Sequence, residues 1–156
     1  MSRPGADLAL LLLGSYRHLV DTVIAELERR GYRDVRAHHD YALRAIEAGA
    51  DSASDLGRRL AVTKQGAART IETLIERGYL VREPDPADAR RKRLRVTPLG
   101  VAVMREGEAI FDDLHREWER RLGKRELARL EDQLALIVGD APIRIEAPGW
   151  VATETS

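Results

Sequence analysis

Apolar side chains between Asp7 and Arg30 recur at Leu8, Leu12, Leu19, Val23 and Leu27, with Leu11, Val20 and Ile24 beside them. Spacing of three and four residues predicts a helix, and Gly31 is a natural stop. The stripe is wide, so this helix needs more than one neighbour. From Val35 to Ala48 the positions Tyr41, Leu43, Ala45 and Ile46 share one side of a second predicted helix, which the Ala48–Ser52 run breaks.

Ser52 to Asp55 has the form of a capping box, with Asp55 standing where Glu or Gln is usual, and predicts a helix of about two turns ending near Leu60. After Ala61-Val62-Thr63 the threonine is a good N-cap. Ala67, Ile71, Leu74 and Ile75 then give one narrow buried stripe that Gly78 terminates. Tyr79–Arg82 reads as a short strand, Pro84–Arg91 as a turn, and Lys92–Val96 as a returning strand with Leu94 and Val96 on one side. Thr97-Pro98 starts a long helix to about Leu122, because threonine caps and proline suits the first helical position. Its Phe111, Leu114, Trp118 and Leu122 form a seam suited to another helix, with Met104 one heptad earlier. Leu127, Leu130, Leu134 and Ile137 mark a last helix closed by Gly139, and residues 140–156 read as an extended tail.

The predicted class is mainly α with a small β-wing: a winged helix-turn-helix core plus N- and C-terminal helices. Composition agrees with one domain of 156 residues, since 44% hydrophobic and 33% charged is globular and 4% aromatic leans helical. No cysteine is present, which excludes disulfides, thiolate metal ligands and thiol redox sensing for this chain. The run Leu8–Leu13 is too short to span a membrane and is not followed by a cleavage pattern, so a cytoplasmic protein with no membrane partner is expected.

Net charge is formally zero, yet Leu56–Arg95 holds eleven Lys or Arg against five Asp or Glu. One segment attracts a polyanion while the remainder repels it, the asymmetry expected of a protein that takes phosphate in one orientation. The second helix of the predicted pair has a thin leading end at Gly66, Ala67 and Ala68, fit to enter a major groove. Lys64, Gln65 and Arg69, beside Ala68, are then placed to reach bases or flanking phosphates, and Thr63 with the free N–H groups of the helix start can hold a phosphate. In the hairpin Arg90, Arg91, Lys92 and Arg93 are drawn to the backbone and the minor groove. Asp88 is expected to hold the turn or aim Arg90.

These residues carry a resemblance. "DPADARRKRLRVTPLG", with Asp85-Pro86, Asp88-Ala89-Arg90, Val96-Thr97-Pro98 and Gly100, resembles the wing of the MarR (multiple antibiotic resistance regulator) family. "VTKQGAARTIETLIERGYLVR" is similar to that family's recognition helix and first wing strand. The match is close over Ser52–Gly100 and extends to the flanking helices by pattern only. It implies a bacterial homodimeric transcriptional regulator, a repressor binding a palindromic operator in double-stranded DNA. Its single domain would span 1–139, with a DNA-binding lobe at about 35–97 and dimerisation helices at about 7–30 and 98–139. The implied interface takes Leu12, Phe111, Leu114, Trp118, Leu130 and Leu134, and the apolar seams on those helices point the same way independently. The resemblance further implies a small-molecule effector site between lobe and dimerisation helices, for which Tyr16, His18, His38, His39 and Tyr41 are the candidates; local packing accounts for them equally well.

The residues also bear on other functions. An architectural, non-specific DNA binder of the same fold would use the wing charge without base readout. An enzyme is disfavoured by the lack of a phosphate loop, an activated-serine pattern or a convincing metal set. Asp112, His115 and Glu119 fit a salt-bridged face better than a metal site, and the adjacent His38 and His39 point about 100° apart. No cofactor and no metal is expected.

Overall fold

The computed structural model describes residues 3–140, so the predicted tail lies outside the described residues, Trp150 with it. The chain order is α1 (Pro4–Arg29), α2 (Ala37–Glu47), α3 (Ala53–Leu60), α4 (Lys64–Glu76), β1 (Leu80–Asp85), β2 (Asp88–Val96), α5 (Pro98–Leu122) and α6 (Lys124–Val138). These elements group into two compact units, one of residues 3–37 and 105–140, the other of residues 38–104, so that α5 begins in one and continues in the other.

In the winged unit, each start signal read from the sequence is a hydrogen bond. Ser52 Oγ accepts from the Asp55 N–H at 3.2 Å to cap α3, and Thr63 Oγ1 accepts from the Gly66 N–H at 3.0 Å to cap α4. Each such cap stabilises by about 1 kcal/mol. Between them the turn Ala61–Thr63 is closed by Val62 N–H donating to the Gly57 carbonyl at 3.0 Å, with Ala61 left-handed at φ 56°. A Cβ on Gly57 would sit 3.0 Å from the Val62 carbonyl oxygen, so glycine lets the turn fold back on α3.

The core of this unit contains Leu43, Leu56, Ile71, Leu74 and Leu80, all below 2% exposure, with Ala67 at 1%. The narrow stripe on α4 is therefore the face turned inward. Burying its Ile71 and Leu74 contributes about 1.5–3 kcal/mol each. Ile75, the fourth member of the predicted stripe, is half-buried.

The strands are longer than predicted, β1 reaching Asp85 and β2 starting at Asp88, around a turn at Pro86 and Ala87. Pairing runs Leu80 with Val96 through Pro84 with Lys92 and then jumps to Asp85 with Asp88. Ala89, Arg90 and Arg91 are left opposite no partner, a bulge at the wing tip. Two Asx turns fix the tip: Asp85 Oδ1 accepts from the Ala87 N–H at 2.9 Å and Asp88 Oδ1 from the Arg90 N–H at 3.0 Å. At the wing base Thr97 Oγ1 donates to the Gly78 carbonyl at 2.5 Å and accepts from the Gly100 N–H at 3.1 Å, capping α5 while tying it to the end of α4.

In the helical unit, α1 starts at Pro4, earlier than the expected Asp7, since proline is favoured in a first turn. Val23, Leu27, Val35, Ile110, Leu114 and Leu127 are buried. Arg30 joins α1 to α5 through Glu106, and its bonds to Glu106 and then Glu26 raise its already high pKa. His115 meets Glu131 at 2.8 Å, linking α5 to α6. Leu8, Leu10, Leu11, Leu12, Phe111, Leu122, Leu130, Leu136 and Ile137 stay exposed.

Two expectations change here. Leu114 is only 6% exposed in the single chain, so its side chain packs among the chain's own residues, whereas an exposed seam was expected of it. And α1, at 26 residues with a mean hydropathy of 1.4 over its best window, is long and apolar enough to cross a membrane by length and composition, although the run Leu8–Leu13 alone is not. The difference arises because apolar residues continue at helical spacing as far as Leu27.

Candidate nucleic-acid interface

The leading turn of α4 is open. Thr63, Lys64, Gln65 and Arg69 are exposed, while Gly66 and Ala68 between them are half-buried and small. The Thr63 hydroxyl spends its lone pair on the Gly66 N–H, which leaves the other N–H groups of the first turn at the positive end of the helix dipole. Lys64 and Arg69 make no ion pair among the described residues. Glu72, seven residues after Gln65 on the same stripe, is held by Arg82 of β1 at 2.7 Å, an ion pair that braces the wing's first strand against α4.

On the hairpin the four predicted cations do not behave alike. Arg90 and Lys92 are exposed and make no ion pair among the described residues. Arg91 lies 3.7 Å from Asp51, in the loop between α2 and α3. Arg93 is turned inward to Glu83, which accepts from both its Nε at 3.1 Å and its Nη2 at 2.8 Å and from Arg95 Nε at 2.7 Å. Those bonds, Arg95's first and Arg93's second, hold the Glu83 carboxyl below the usual carboxylate range. Arg93 is thereby engaged within the sheet, unlike Arg90 and Lys92. Asp88 holds the Arg90 backbone, the turn-holding alternative of the two expected of it.

Sequence reasoning missed Glu83, Asp51 and Arg95. The Glu83 to Arg93 pairing follows once the hairpin register is known, because the two residues are directly opposite. Asp51 belongs to a different stretch of chain, and nothing in the local pattern signals its partner.

The suggested effector residues are divided between units. Tyr16 and His18 are exposed on α1, and His18 lines a groove of about 350 Å³ with Leu10, Leu11, Gly14, Ser15, Trp118 and Arg121. His38, His39 and Tyr41 are on α2, with His39 buried at 4% exposure and its ring 4.3 Å from that of His38. Neither unit assembles the five. Of the suggested interface residues, Leu12, Phe111 and Leu130 are exposed and Trp118 and Leu134 half-buried. Among the described residues no group of three or more His, Cys, Asp or Glu is arranged to hold a metal ion.

A two-helix unit with a three-residue turn, followed by a two-stranded antiparallel wing, is a winged helix-turn-helix. The sequence model of the MarR family matches residues 34–91, a stretch that takes in α2, α3, α4, β1 and the start of β2. Solved structures share the fold over most of the chain. The reduced form of MarR from E. coli is similar at a TM-score of 0.68 and 24% identity, covering 85% of this chain and 96% of that one. A MepR variant from S. aureus bound to an oligodeoxyribonucleotide is similar at 0.59 and 18%, covering 84% and 95%. MepR from S. aureus bound to ethidium bromide is similar at 0.60 and 18%, covering 83% and 93%.

Proposed function

We propose that this protein is a sequence-specific DNA-binding transcriptional regulator, working in the cytoplasm as a homodimeric repressor on a palindromic operator. The observation that carries the reading is the pairing of an open, small-residue leading turn on α4 with unspent cations. Lys64 and Arg69 are on that helix and Arg90 and Lys92 on the wing of the same unit. Exposed cations without an internal partner attract a polyanion, whereas Arg93 and Arg95 have already found theirs. Arg69 and Gln65 read base edges, Lys64 and the α4 N–H groups hold phosphate, and Arg90 and Lys92 take the neighbouring backbone or minor groove.

The exposed apolar residues of α1, α5 and α6 support a second copy as the dimer partner, through Leu12, Phe111, Trp118, Leu130 and Leu134. Large apolar side chains left exposed in this number favour a protein contact. Two-fold symmetry would space the half-sites about one DNA turn apart, roughly 34–36 Å. A small-molecule effector, with Tyr16, His18, His38, His39 and Tyr41 as candidate contacts, would release DNA by binding one dimer geometry better than the other.

The test is selection of bound duplexes from a random pool, followed by titration of the winner. A regulator favours its selected site by about 10³ or more over random duplex. Salt-dependent binding without that ratio would support the architectural alternative instead, and no binding to either duplex would dismiss both.

A further inference from the structure

We propose that Asp51 is an internal stand-in for a DNA phosphate, which engages Arg91 in the free protein and thereby weakens DNA binding. This rests on the DNA-binding reading above and assigns a determinant of affinity in a loop outside both the recognition helix and the wing.

Three features of the winged unit carry it. First, Arg91 lies in the bulge Ala89–Arg91, where no cross-strand partner fixes its backbone, so its guanidinium can change targets without breaking the strand pairing. Second, Asp51 stands on an anchored loop. Gly49 N–H donates to the Ile46 carbonyl and Ala50 N–H to the Ala45 carbonyl, both at 2.9 Å, and Arg59 Nη1 reaches the Ala48 carbonyl at 3.1 Å. Ala50, beside Asp51, is 1% exposed. Third, the cleft of about 520 Å³ between this loop and the wing is lined by Glu47 and Asp51 on the loop side and by Asp85, Arg93 and Arg95 on the wing side. Arg93 and Arg95 share Glu83 from their own sheet, whereas the one ion pair of Arg91 among the described residues is with Asp51 across 3.7 Å.

A carboxylate and a phosphodiester offer a guanidinium the same chemistry, two anionic oxygens for one fork. For Arg91 to contact a phosphate it must leave Asp51, and the binding it contributes is reduced by the pair it gives up. Both side chains are more than half exposed, so the pair is weak and the discount modest. Removing the Asp51 charge should therefore strengthen binding, and only when Arg91 is present to profit.

The experiment is a double-mutant cycle read by fluorescence anisotropy on the selected duplex at one fixed salt concentration. It uses the full chain as wild type, Asp51→Asn, Arg91→Ala and the double variant, with Glu47→Gln as a neighbouring loss of charge and Arg69→Ala as a control on DNA binding itself. Asp51→Asn is expected to tighten binding about 1.5- to 5-fold, more than Glu47→Gln does, and to lose that advantage when Arg91 is Ala. An Asp51→Asn effect equal to that of Glu47→Gln, or one that survives Arg91→Ala, would overturn the proposal while Arg69→Ala still weakens binding. A wild type with no affinity for any duplex, unaffected by Arg69→Ala, would overturn it together with the DNA-binding reading.

Discussion

Two glycines on α5 should respond oppositely to the same substitution. A Cβ on Gly100 would lie 2.7 Å from Val96 Cγ1 and closer still to the carbonyl oxygen of Tyr79, whereas a Cβ on Gly107 would meet nothing within 4 Å. The Tyr79 oxygen cannot simply rotate away, because it accepts the Thr97 N–H at 3.0 Å and so belongs to the joint between wing and helix. Gly100→Ala must therefore move backbone, at the upper end of the overpacking range of about 1–3 kcal/mol. Alanine returns up to about 1 kcal/mol of helix propensity, leaving a net loss of about 2 kcal/mol. At Gly107 only the propensity gain of about 0.5–1 kcal/mol remains. For a chain of this size the first is a fall in Tm of about 4–8 °C and the second a rise of about 1–4 °C. Chemical denaturation and calorimetry on both variants would read the difference. A Gly100→Ala protein as stable as the wild type would refute the argument that the Thr97-to-Gly100 turn seats α5 directly on the wing base.

Glu83 makes stability depend on acid. Its folded pKa lies below the ordinary 4.5, so its contribution is complete above that value and is lost as pH falls through the depressed one. Unfolding midpoints should drop below pH 4.5 more steeply in the wild type than in Glu83→Gln, and parallel curves would contradict the clamp. Arg90→Ala should weaken binding to the selected duplex and flatten log K against log salt by about 0.9, the share of one phosphate contact; Arg93→Ala should flatten it less, because Arg93 is engaged by Glu83. Leu12→Asp with Leu130→Asp, both on exposed positions, should give folded monomers with poor DNA affinity, measured by sedimentation and anisotropy; a variant that stays dimeric would place the interface elsewhere. Leu114→Asp is unsuited to that test, since a charge in the core unfolds the unit about as readily as it separates subunits.

Signals confined to a few consecutive residues were legible in the sequence. Ser52, Thr63 and Thr97 each had a cap to fill, and the Ala67, Ile71 and Leu74 spacing fixed which side of α4 turns inward. What failed depended on residues far apart in the chain. Leu114 fits a heptad seam, but periodicity defines a face without saying what covers it, and here the chain itself buries that side chain. Wing length was underestimated because pairing is extended by charges, Glu83 opposite Arg93, where hydrophobic alternation has already stopped. Counting positive charge likewise overstated the free cations, since Arg82 is ion-paired with Glu72, and Arg93 and Arg95 share Glu83. The likeness of the lobe to the MarR family was legible in its motifs; only the geometry separates its ion-paired arginines from its available ones.

The most direct measurement compares affinities for the selected duplex and a shuffled one at a single salt concentration, in the wild type and in Arg69→Ala. If α4 reads bases, the wild-type ratio is about 10³ or more and Arg69→Ala reduces it by about 1–3 kcal/mol, roughly 5- to 150-fold, with much less effect on the shuffled duplex. A ratio near one in the wild type, or one that Arg69→Ala leaves intact, would contradict the assignment of α4 as the reading helix.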